Sequence, residues 1–250
     1  ALGGDSYNLT LDVKADASKV NKNKLDIVIV FDGSSSMGST SDPDIQGGSR
    51  LERAKSAVKE LVDLLDDGKV DARYSLITFY RVAKQYEAGT YNWITGTELQ
   101  TKIDSLTWTS SSSHSPELGS GTNYEGGFKL AATQIANHPR DEALKVVVFL
   151  TDGVPTYYGG VEGTNGTGSE YKSQNPIVYD GGNVHNCYVG GCTAAKTIKG
   201  ADIFYGIGFG SDMYSANPKD FTFVVNETTG ETRTMSPAEF IHGIGESITA

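Results

Sequence analysis

Chemistry concentrates in this sequence at three short polar stretches. The first is Asp32-Gly33-Ser34-Ser35-Ser36-Met37-Gly38, which follows the apolar residues 25–31 without a break. Asp32, Ser34 and Ser36 put one carboxylate and two hydroxyls on alternate residues. No thiolate or imidazole lies nearby, so these hard oxygen donors suit a divalent cation such as magnesium, manganese or calcium better than zinc or copper. The second stretch is Gly121-Thr122-Asn123 and the third Thr151-Asp152-Gly153, each at the boundary of an apolar or helical pattern.

Elements that could bring these together are legible around them. Across residues 26–31 β-branched and aromatic side chains fall at both parities, the pattern of a parallel strand buried on both faces, and the apolar run at residues 144–150 repeats it. An open α/β sheet gathers its ligand at the carboxyl ends of such strands, where Asp32 and Asp152 fall. Ser49 and Glu52 have the spacing of a capping box for a helix with Leu51, Ala54, Val58, Leu61, Val62 and Leu65 on one face. Residues 73–80 and 82–86 predict a hairpin forming an antiparallel edge. Residues 97–106 predict a short helix capped by Thr97 and Gln100. A further helix opens at Thr122 and carries Phe128, Ala131, Ala132 and Ile135 inward. Residues 193–199, 202–207 and 221–225 predict a brief helix and two strands, and Ser236-Pro237-Ala238-Glu239 begins a terminal helix. The expected fold is α/β and Rossmann-like: a mostly parallel central sheet with an antiparallel edge strand, helices on both faces and an extended inserted arm. Residues 1–23 predict a leading strand (6–13) and a solvated connector; residues 24–250 form the domain proper. Asp32, Ser34, Ser36, Thr122 and Asp152 would then surround one point at the sheet's carboxyl edge.

Each stretch alone has plainer readings. Asp32 to Ser36 is compatible with a turn, Thr122 with a helix N-cap and Asp152-Gly153 with a common turn pair. A secreted serine hydrolase with Ser36 as nucleophile is the enzymatic alternative, but the run lacks the first glycine of Gly-x-Ser-x-Gly. His242 falls within the terminal helix pattern and His185 in the insertion, so no partner histidine is placed for a triad. No phosphate-binding Gly-Lys motif occurs, and no enzyme is expected.

The ordered set Asp-x-Ser-x-Ser, Gly-Thr-Asn and Thr-Asp-Gly resembles the von Willebrand factor A domain and its metal-ion-dependent adhesion site, over residues 24–250. The resemblance implies that Ser34 and Ser36 bind a magnesium ion (or manganese or calcium) directly and Thr122 directly or through water. Asp32 and Asp152 act mainly through water or as outer acceptors. It also implies an open coordination position for an acidic or oxygen-bearing group of a partner; a purely structural metal is the alternative within the family. Ser35 and Ser120 depart from glycines common in the family and leave the liganding positions intact. The leading strand and long insertion further resemble A domains of Gram-positive surface proteins, especially pilus-tip adhesins. That implies an extracellular place at a pilus tip or cell wall, a host matrix protein or glycan as partner, and other domains or pilus subunits of a larger surface protein beside it.

Composition agrees with a cation-binding role. A formal charge of −10 over 250 residues disfavours nucleic acid and anionic membrane surfaces, which reward clustered Lys and Arg. No run has the length and apolarity of a membrane span, so this segment is expected to be soluble as given. Residues 154–191 show no helical pattern and are rich in Gly, Ser and Asn. They carry Tyr157, Tyr158, Tyr171, Tyr179 and Tyr188, a mixture suited to ligand-selecting loops. Cys187 and Cys192, the only cysteines, flank what reads as a loop and are expected to close a small disulfide. Asn8, Asn165 and Asn226 fall in Asn-x-Ser/Thr triplets, which by themselves do not establish glycosylation.

Overall fold

The computed structural model describes residues 24–38, 48–66, 68–110, 113–137, 139–168, 171–174, 177–179, 181–209, 221–226, 231–235 and 241–242. The leading strand expected at 6–13 lies outside them, as does the terminal helix apart from the helical pair Ile241 and His242.

In chain order, the elements begin with β1 (Lys24–Asp32), a 3-10 turn (Ser35–Gly38), α1 (Arg50–Leu65), β2 (Asp71–Phe79) and β3 (Ala83–Gln85). There follow α2 (Gly96–Ser105), β4 (Trp108–Ser110), β5 (Ser113–His114), α3 (Tyr124–Ala136) and β6 (Leu144–Thr151). The insertion contributes β7 (Tyr157–Tyr158), β8 (Asn165–Gly166), β9 (Tyr171–Gln174), β10 (Ile177–Tyr179) and α4 (Gly181–Ala195). Then come β11 (Ile203–Gly208), β12 (Phe221–Asn226) and β13 (Glu231–Met235).

The central sheet has five strands in the order β11-β6-β1-β2-β3. Its pairs are parallel except β2 with β3, the antiparallel edge that residues 73–86 predict. The period-2 side-chain alternation of strands divides the core. Val28, Val30, Ile77, Phe79, Val147 and Phe149 face one way and pack with Phe128, Ala131 and Ile135 of α3 and Val184 and Ala194 of α4. Ile27, Ile29, Phe31, Leu76, Val146, Val148 and Leu150 face the other way and meet Leu51, Val58 and Val62 of α1 and Leu99 and Ile103 of α2. Both faces being covered explains why β1 and β6 are continuous apolar runs.

Three expectations change. The cap of α2 is Thr95, whose hydroxyl accepts from Glu98 N while the Glu98 carboxylate accepts from Thr95 N. Thr95/Glu98 and Thr97/Gln100 are overlapping boxes, and the charged acceptor at Glu98 is the stronger partner for a helix N-terminus. Second, β12 pairs with β13, which the sequence reading lacks, in a two-stranded sheet of its own. Third, residues 181–195 form α4, where the sequence reading expects loop and then a brief helix from 193. Its apolar spacing is interrupted by paired glycines, so propensity misses it. Packing supplies what propensity lacks: Val184, Cys187, Ala194 and Ala195 are buried. Gly190 has a packing reason, since a Cβ there would lie 2.7 Å from Glu125 Oε2 and 3.3 Å from Tyr158 Cβ.

The cysteines follow the helix. Cys187 and Cys192 are both within α4 and are not joined by a disulfide. Residues five apart on a helix project about 140° apart around the axis, which turns their sulfurs away from one another.

Candidate metal centre

Strand order creates the crevice. From β1 the chain crosses to β2 on one side, whereas from β6 it crosses to β11 on the other, so the connections diverge between two neighbouring strands. Ligands of open α/β sheets bind at such a switch point. Here Phe31 pairs with Leu150, and Asp32 and Thr151 are the last residues of their strands.

The side chains form one connected network. Ser34 N donates to Asp32 Oδ1 at 2.8 Å, closing an Asx turn, and Thr151 Oγ1 donates to Asp32 Oδ2 at 2.6 Å. Ser36 Oγ donates to Asp152 Oδ1 at 2.9 Å and lies 2.9 Å from Ser34 Oγ. Since the single proton of Ser36 goes to Asp152, Ser34 is the donor in the serine pair. Arg50, the first residue of α1, donates from Nη1 to Asp152 Oδ2 at 3.0 Å. Tyr124 hydrogen-bonds Gly153 O and sits 3.1 Å from Thr151 Oγ1, tying α3 to the end of β6.

Asp32 and Asp152 are buried, at 0% and 3% exposure. Burial and the neighbouring Asp152 charge push Asp32 up to about 7 from an ordinary 3.8, against the lowering effect of its hydrogen bonds from Thr151 and Ser34. Burial also raises Asp152, though Arg50 and Ser36 oppose the shift. Among the described residues a single guanidinium, that of Arg50 on Asp152, meets these two buried carboxylates, which leaves them under-compensated in positive charge. Their oxygens and the Ser34 and Ser36 hydroxyls are all hard donors, the kind a divalent cation of the magnesium or calcium type takes directly or through water. Among the described residues no cluster of three His, Cys, Asp or Glu occurs, so hydroxyls are essential to any such site.

Four of the five predicted metal residues are thus joined directly. Thr122 reaches the same edge through the backbone: Gly119 N donates to Gly33 O at 2.9 Å, placing the segment that leads to Thr122 beside the Asp32 loop. Thr122 is buried, and its O accepts from Thr156 N at 2.8 Å and Tyr157 N at 2.9 Å. The N-cap of α3 is Asn123, whose side chain accepts from Gly126 N. Capping is therefore not the job of the Thr122 hydroxyl.

Arg50, Thr151, Thr156 and Tyr124 are the contributors that sequence reasoning misses. Thr151 is signalled by its place before Asp152 on a strand end; Arg50 meets Asp152 across 102 positions, which no local pattern encodes.

The tyrosines divide. Tyr157 is half-buried and covers Gly121, where a Cβ would meet its ring at 2.4 Å, so it adjoins the Thr122 turn. Tyr158 is half-buried on the same short strand. Tyr171 and Tyr179 lie on the paired strands β9 and β10. Tyr188, expected in a loop, is on α4 and packs against the core.

The turn that carries Ser36 is held from outside by Trp108, whose ring also stacks on His114 at 4.6 Å. A Cβ on Gly38 would lie 2.1 Å from Trp108 Cδ1. Gly38→Ala is expected to displace the indole, lower stability by about 1–3 kcal/mol as overpacking does, and shift tryptophan emission. Urea unfolding followed by fluorescence checks both.

This is a doubly wound α/β domain with an oxygen-rich site at its switch point. The von Willebrand factor type A domain family matches residues 26–180, and the chain belongs to that family. No curated protein matches the sequence. Among solved structures, it is similar to an aerotolerance-related membrane protein of Bacteroides fragilis, with 18% identity, a TM-score of 0.51 and coverage of 90% of this chain and 89% of the other. BatB of Bacteroides thetaiotaomicron has 20% identity and a TM-score of 0.50, covering 90% and 87%. The PilB minor pilin of Streptococcus sanguinis has 20% identity and a TM-score of 0.50, covering 75% of this chain and 50% of the pilin. At these identities the likeness is one of fold. No helix among the described residues is long and apolar enough to cross a membrane.

Proposed function

We propose that this domain is a divalent-cation-dependent binding module of an extracellular surface or pilus protein, with Ser34, Ser36 and Thr122 holding the ion and Asp32 and Asp152 as outer acceptors. The observation that carries this reading is the Asp32–Ser34–Ser36–Asp152 network at the carboxyl ends of β1 and β6. Bound magnesium supplies an electrophilic position open to a carboxylate or other oxygen of a partner. The residues around it orient hydroxyl lone pairs: Ser36 commits its proton to Asp152 and accepts from Ser34, leaving one Ser36 lone pair available to a cation.

A non-enzymatic role fits this arrangement better than a Ser36 hydrolase, because the proton acceptor of Ser36 is a carboxylate and not a histidine. Tyr157 beside the Thr122 turn, and Tyr158 next to it, are suited to select the partner; Tyr171 and Tyr179 are assigned to the same arm. A host matrix protein or glycan is the partner class this reading favours. Its pilus setting is supported by the fold shared with a streptococcal minor pilin.

Titrating chelator-stripped protein calorimetrically with magnesium, manganese and calcium tests the reading. One-site binding is expected, with loss of at least about 100-fold in Asp152→Ala, as for removal of a charged partner worth about 3 kcal/mol. Wild-type protein that binds none of the three overturns it. Adhesion to immobilised matrix proteins and glycans, with and without chelator, then identifies the partner.

A further inference from the structure

Arg50 occupies an unusual place. It opens α1, where unpaired N–H groups already carry partial positive charge and a cationic side chain is disfavoured. The rest of that helix start is conventional: the Ser49 hydroxyl accepts from Glu52 N at 3.3 Å, and Glu52 is the first-turn acid. Arg50 is nevertheless turned inward, its side chain only 12% exposed, with Nη1 on Asp152 Oδ2. The hydrogen-bond chain Ser34 to Ser36 to Asp152 therefore ends on a carboxylate already held by a guanidinium.

We propose that Arg50 is a built-in countercharge of the cation site, holding Asp152 in the metal-free protein and lowering divalent-cation affinity by competing for that carboxylate. The inference rests on the cation-binding reading above. An ionised Asp152 buried beside Asp32 needs positive charge whether or not a cation is bound, and Arg50 supplies one unit of it permanently. The same unit repels a divalent cation arriving at Ser36. Arg50 thus trades affinity for an assembled site, and the strain of its helix-terminal position is offset by the carboxylate it meets.

The test compares wild type with Arg50→Lys, Arg50→Gln and Arg50→Met, measuring magnesium and manganese affinity by calorimetry and melting temperature with chelator and with saturating magnesium. Arg50→Gln and Arg50→Met are expected to bind magnesium about tenfold more tightly, since a nearby like charge is removed, while Arg50→Lys stays within about threefold of wild type. The Gln and Met variants should melt lower than wild type in chelator and gain more from magnesium. A variant that folds only when magnesium is present also supports the proposal; one unfolded at saturating magnesium counts against it. Unchanged or weaker affinity in both neutral variants, with wild type binding normally, overturns the countercharge role alone. Failure of wild type and every variant to bind a divalent cation overturns the cation-binding reading itself.

Discussion

Asp32→Asn is expected to make the metal-free domain more stable near neutral pH while abolishing the cation binding proposed for it. The wild-type carboxyl is fully buried beside Asp152 and titrates at about 7 instead of 3.8. The folded state therefore holds a proton more tightly than the unfolded state between those values. Stability contributed by that protonated group is complete below about pH 4 and is lost as pH rises through about 7. At about 1.36 kcal/mol per pH unit, the ionised carboxylate at neutral pH costs up to about 4 kcal/mol. Asparagine keeps an acceptor for Ser34 N and carries no charge. Its amide requires Thr151 Oγ1 to turn, for which Gly153 O, 3.3 Å away, is a ready acceptor. A net gain of about 2 kcal/mol at pH 7.5 follows once that exchange is discounted. Urea unfolding in chelator at about pH 5 and about pH 7.5 should show wild type weakening with pH and the variant holding steady. Saturating magnesium should stabilise wild type and leave the variant unmoved, because only a state that binds ligand gains from it. A variant less stable than wild type at both pH values would count against an uncompensated charge at Asp32.

How much of this could be read from the chain follows from which signals are local. The β1 and β6 runs, the inward faces of α1 and α3 and the β2–β3 edge are written in apolar periodicity, because both sheet faces are covered. Asp32, Ser34 and Ser36 fall within five residues, and Asp152 directly follows a strand of the same kind, so their convergence needs only the sheet order. Arg50 is invisible to such reasoning: it sits in a helix first turn, where its charge is locally unfavourable, and the Asp152 it meets lies 102 positions away. α4 is hidden for the opposite reason. Its helix exists through packing, with Gly190 admitting Glu125 and Tyr158, and two cysteines in a glycine-rich stretch suggest a loop when read locally.

The other end of β1 carries the complementary case. Asp26 is also buried, at 1% exposure, yet its neighbours are cations. Arg73 donates from Nε and Nη2 to its two oxygens, both at 2.8 Å, and Arg140 Nε meets Oδ1 at 2.8 Å. Arg140 also donates to the carbonyls of Leu25 and Asp71, so one carboxylate fastens β1, β2 and the segment entering β6. Burial alone would raise Asp26, but the hydrogen bonds and charges of Arg73 and Arg140 outweigh it and hold the carboxyl below its ordinary value. Its contribution is thus present above the ordinary carboxylate range and is lost as pH falls through the depressed value, the opposite sign to Asp32. Asp26→Ala strips two inward-turned guanidinium groups of their shared partner and should cost about 3–4 kcal/mol, seen as a melting temperature about 10 °C lower. Asp26→Asn, which keeps the shape and loses the charge, should fall between. Asp32 lies six residue steps along the strand from Asp26, about 20 Å, so magnesium affinity of folded Asp26→Ala should match wild type. Equal magnesium affinity with reduced stability would place fold and site on opposite ends of one strand: paired charge fastens the amino end, and charge left under-compensated at the carboxyl end is what a cation can use.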